Sequence, residues 1–122
     1  MKVTIGGVEY PIAMTVEAQS RIAEKAGGLD KIKDVMGSEK LSNMAVLHIL
    51  IEAGVRREKV LAKMAGEEYI PPVIPDEEDI PDLMYYTESA EVMKAMNAAF
   101  REGNKSEVEI KPEPKKKERA TR

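Results

Sequence analysis

A chain of 122 residues with 19 basic and 22 acidic side chains, net charge −3, is too balanced for whole-domain binding to nucleic acid or an acidic membrane. Its lack of cysteine removes a disulfide framework, a thiolate metal cage and a cysteine nucleophile, and suits a reducing compartment such as a bacterial cytoplasm. The length predicts one domain, and 4% aromatic content with no Trp but eight Met predicts a core of aliphatic side chains and methionine.

Val3 to Ile5 and Val8 to Ile12 alternate about Gly6-Gly7, which predicts a β-hairpin over the first dozen residues. Two strands alone are marginal in water, so Val3, Ile5, Val8, Tyr10 and Ile12 are expected to lay one face on helices. Met1-Lys2 lead straight into this strand pattern, which argues against a secretion signal. No apolar run approaches the ~20 residues of a membrane span.

Thr15 is a predicted N-cap for a helix whose Ala18, Ile22 and Ala26 recur every four residues until Gly27-Gly28. Leu29, Ile32, Val35 and Met36 form a second, short helical stripe ended by Gly37, with Ser38 placed to cap the next helix. From Met44 to Ala53 only His48 and Glu52 are not apolar, which predicts a central helix buried on most faces. After Gly54, the run Val55 to Ala65 predicts a separate amphipathic surface helix. Val60, Leu61 and Met64 share one face of it, Arg56, Arg57, Lys59 and Lys63 lie elsewhere, and Gly66 ends it.

Residues 67–82 carry seven acids and no base, and Pro71, Pro72, Pro75 and Pro81 forbid one regular helix across them; an extended acidic loop is expected. Asp79 or Asp82 starts the next helical stretch, where Val92, Met93, Met96, Ala99 and Phe100 form a stripe that is expected to end at Gly103-Asn104. From Lys105 onward, Val108 and Ile110 are the only large apolar side chains before Pro112, Pro114 and Lys115-Lys116-Lys117, so burial cannot offset ordering entropy. The predicted fold class is mainly α with a short N-terminal β-hairpin, as a domain over 1–104 and a flexible charged tail over 105–122.

Catalytic chemistry is hard to place. His48 sits among Leu47, Ile49, Leu50 and Ile51, without polar partners for metal or general-base work, and reads as a core or boundary histidine. Asp76-Glu77-Glu78-Asp79 lacks the alternating ligands and the glycine turn of a calcium loop. Gly6-Gly7 and Gly27-Gly28 lack the spacing of a phosphate loop. The expectation is therefore a protein that is not an enzyme, with no catalytic residue, cofactor or metal site. The methionines fill an aromatic-poor core or line an adaptable groove for an apolar partner helix; Met64, Met93 and Met96 are the ones expected outside the core.

The opening Val3-Thr4-Ile5-Gly6-Gly7-Val8-Glu9-Tyr10-Pro11-Ile12 with Thr15 and Ala18 resembles the first protein of the tail assembly chaperone pair of long-tailed bacteriophages and prophages. The segments Leu47 to Gly54 and Ala98 to Gly103 resemble the same family, and the likeness spans residues 3–103. It implies a cytoplasmic factor, absent from the mature virion, that binds the helix-rich tape measure protein and helps recruit tail tube subunits. In such families a longer form made by ribosomal frameshift contacts the tail tube protein, and an A-rich slippery run could encode Lys115-Lys116-Lys117. The Pro-rich acidic loop matches no feature of the family.

On that reading Val60, Met64, Met93, Met96 and Phe100 are the expected apolar partner contacts, and a homo-oligomer is compatible with them. Two alternatives remain open. One is a nucleic-acid-binding regulator using Arg56, Arg57, Lys59, Lys63 and the Lys115 to Arg122 tail, although Glu113 and Glu118 dilute that tail and no aromatic is interleaved. The other is a minor virion connector or tail completion protein with the same fold.

Overall fold

The computed structural model describes residues 1–110, with side chains through Gly103. Strands β1 (Lys2–Ile5) and β2 (Val8–Pro11) pair antiparallel, with Val3 opposite Tyr10 and Ile5 opposite Val8. Gly6 and Gly7 both take positive φ, 61° and 81°, the backbone a two-residue turn of primed type demands. Val3, Ile5, Tyr10 and Ile12 are buried, whereas Val8, expected on the same face, stays exposed beside the turn where nothing packs over it.

Helix α1 (Val16–Ala26) begins where Ala18 N–H donates to the Thr15 hydroxyl at 3.1 Å, and it buries Ala18, Ile22 and Ala26. A 3-10 turn (Leu29–Lys31) and the four-residue α2 (Ile32–Val35) follow. Ser38 does not cap the next helix. Its hydroxyl donates back to the Val35 carbonyl, and Ser42 instead accepts from Ala45 N–H at 3.1 Å. A hydroxyl three residues before the amide it must satisfy is the working spacing, and Ser38 lies too far upstream.

The two helices expected on either side of Gly54 are one helix, α3 (Asn43–Ala65). Gly54 does not end it; a Cβ there would run into the backbone of Pro11 and stand 2.6 Å from Ile12 N. The missing side chain lets the end of the hairpin lie directly on α3, and Ala13 N–H reaches the Leu50 carbonyl at 3.2 Å. The glycine serves close approach between elements. Around this contact Val46, Leu47, Ile49, Leu50 and Ile51 are fully or nearly fully buried, as the apolar run predicts.

The extended loop expected over 67–82 holds for residues 67–76, which form no helix or strand. Residues 77–82 turn helical instead, with Pro81 tolerated in the first turn of a helix, where its missing N–H has no partner to lose. A 3-10 turn (Glu77–Asp79) and α4 (Ile80–Leu83) bury Ile80, a second 3-10 turn covers Tyr86–Glu88, and α5 (Ser89–Ile110) completes the described fold. Val92, Met96 and Ala99 join the core. The expected stop at Gly103-Asn104 is absent because Gly103 lies inside α5, where its bare Cα leaves room for Met14; a Cβ would sit 2.6 Å from Met14 Cγ. Of the flexible tail expected over 105–122, residues 105–110 continue α5, and residues 111–122 lie outside the described residues.

Candidate partner-binding site

The segment from Leu29 to Val35 buries none of its residues. A 3-10 turn and a single turn of α-helix are too short to cover an apolar stripe on their own, so Leu29, Ile32 and Met36 stand as one wall of an open groove beside α1. Ile22 of α1 forms the fully buried floor, and Met14 and Phe100 complete the lining. The space is about 610 Å³, with Gln19, Asp30 and Lys33 as its polar groups. Leu29 is 56% exposed although it lies on an apolar stripe.

The five residues expected to contact a partner do not come together. Met96 is 3% exposed and belongs to the core, so it offers nothing to a partner; its place on the stripe with Val92 and Ala99 is what buries it. Met93 is half-buried and packs against that core. Phe100, also half-buried, is the member of the set that lines the groove. Val60 and Met64 lie on the far part of α3, exposed and outside the groove, with Met64 at 79%. Leu29, Ile32 and Met36, which the sequence places on a short helical stripe, and Met14, to which the sequence assigns no role, shape the opening. The available signal was the stripe from Leu29 to Met36 on a segment too short to seal it.

Outside the groove, several titratable side chains make contacts that hold the fold together. His48 Nδ1 stands 3.7 Å from Glu52 Oε1, which Arg21 Nη1 also approaches at 2.8 Å, though not along a hydrogen-bonding direction. All three side chains are half-buried, at the boundary of the core, as read from the sequence for His48. Glu88 accepts Gly6 N–H at 2.7 Å, Gly7 N–H at 3.0 Å and Tyr85 N–H at 2.9 Å. Desolvation raises its pKa, but the three backbone donors outweigh that and hold the carboxyl below its ordinary value. Tyr69 is shifted upward, first by burial and then by the Glu58 carboxylate across from it on α3. Among the described residues no group of three or more His, Cys, Asp or Glu could hold a metal ion, and no helix is long and apolar enough to cross a membrane.

No family model, no curated protein and no solved structure matches the chain.

Proposed function

We propose that the chain is a non-catalytic assembly chaperone of the kind its sequence resembles. It holds apolar helical segments of the tape measure protein in the groove between α1, α2 and α5 while tail tube subunits are recruited. The observation that carries this reading is the groove itself, an apolar slot left unsealed by the chain's own helices and lined at two points by methionine. An amphipathic helix docks in such a slot through side chains one turn apart, and the unbranched thioethers of Met14 and Met36 let the walls adjust to different segments.

The energetics suit temporary holding. Each aliphatic side chain a partner buries contributes about 1.5–3 kcal/mol. Two or three of them contribute about 3–9 kcal/mol, comparable to the roughly 4–15 kcal/mol lost in association, so the grip is weak and reversible. A factor acting in the host cytoplasm and absent from the finished virion has to release its client.

Co-expression with the tape measure protein tests the reading. The client is expected to stay soluble with the wild-type chain and to precipitate with Leu29→Asp. Equal insolubility with and without the chain overturns it, and persistence of the chain in purified particles favours a connector role instead.

A further inference from the structure

Val55 is the last buried residue of α3, and from Arg56 to Ala65 only Ala62 is even partly covered. These turns extend about 15 Å past Val55 at the rise of an α-helix. So short a helix is marginal in water by itself and is sustained here by continuity with its buried half. Yet it carries Val60, Leu61 and Met64, all exposed. Arg56, Arg57, Lys59 and Lys63 surround them, and among the described residues none of the four has a carboxylate within 4.0 Å.

Past Gly66 the chain enters the segment 67–82, with seven acids and no base, where Ile70 and Val73 are each 88% exposed. One molecule thus presents, side by side in sequence, a basic patch with bare aliphatics and an acidic patch with bare aliphatics. Two basic helix ends would repel each other, whereas a basic end against an acidic segment attracts. A two-fold axis brings both such contacts together at once, since each copy offers both halves.

We propose that the projecting end of α3 docks on the acidic segment 67–82 of a second copy of this chain, each copy giving and receiving the same contact. Neither patch includes a groove residue, so the dimer leaves the groove open, and its failure would not touch the groove's proposed role.

Sedimentation of the full chain tests this. Its mass is expected to rise from one 13.6 kDa chain toward two as concentration increases, and to fall back in high salt. A base-reversed variant (Arg56→Glu, Lys59→Glu, Lys63→Glu) and an acid-reversed variant (Glu67→Lys, Glu68→Lys, Glu77→Lys, Glu78→Lys, Asp82→Lys) should each remain monomeric, with unchanged helical circular dichroism because every altered side chain is exposed. Mixed together, the two variants should form the heterodimer, since both patches of one are then net acidic and both patches of the other net basic. A wild-type chain that is monomeric at every concentration, variants that still self-associate, or a mixture that does not associate each overturns the proposal. The first of those outcomes assigns the helix end to a different protein.

Discussion

The carboxylate of Glu88 holds the amide of Gly6 at 2.7 Å across 82 positions of sequence, and takes Gly7 N–H as well. Neither turn amide pairs within the hairpin ladder, and the ionised carboxylate makes both charge-assisted partners. The start of α5 is thereby tied to the tip of the N-terminal hairpin.

Stability should therefore depend on pH in the acidic range. The folded Glu88 carboxyl titrates below its unfolded counterpart, so its contribution is fully present above the ordinary carboxylate range and is lost as pH falls through the lower folded value. Glu88→Gln removes the charge and should flatten that acid limb of a plot of urea midpoint against pH. An unchanged limb would show that other carboxylates dominate it.

Gly54→Ala and Gly103→Ala should separate cleanly in urea denaturation. At Gly54 the obstacle is the backbone of Pro11 and Ile12, which cannot step aside. Overpacking of this kind costs about 1–3 kcal/mol or more, beyond the roughly 0.5–1 kcal/mol that alanine returns as helix propensity. At Gly103 the obstacle is the Met14 side chain, a flexible thioether that can swing away, so the loss there should be smaller.

Met96→Ala and Met64→Ala provide a second contrast. Met96 is sealed in the core and should lose about 2–5 kcal/mol, measured as a shift in denaturation midpoint. Met64, open to solvent, should change monomer stability by no more than about 0.5 kcal/mol. Comparable losses at both positions would mean that α3 is covered in solution even at low concentration.

Leu29→Asp should spare the fold and weaken the groove. Leu29 is exposed and opens a 3-10 turn, where an acidic side chain is tolerated. If it anchors a client, a labelled amphipathic peptide from the tape measure protein should bind roughly 30-fold more weakly, or about 2 kcal/mol. Val8→Asp, also exposed but on the hairpin, should leave the affinity unchanged.

Local physics makes much of the architecture readable in advance. Alternation about Gly6-Gly7 specifies the hairpin, Thr15 and the four-residue spacing of Ala18, Ile22 and Ala26 specify α1, and the unbroken apolar run from Met44 to Ala53 specifies the centre of the core. Each of these is a property of residues within one or two turns of one another. Gly54 and Gly103 look like stops in the sequence because sequence shows what a glycine permits, while only the packed molecule shows that Pro11 and Met14 occupy the space. The same holds for the sites. The sequence determined which side chains are apolar and which are charged, including the basic stretch 56–63 and the acidic stretch 67–82. Which apolar ones stay uncovered was decided by tertiary packing: Met96 went inside, Met64 was left on a projecting helix, and Leu29, Met36 and Phe100 became a groove, because burial depends on what arrives from elsewhere in the chain.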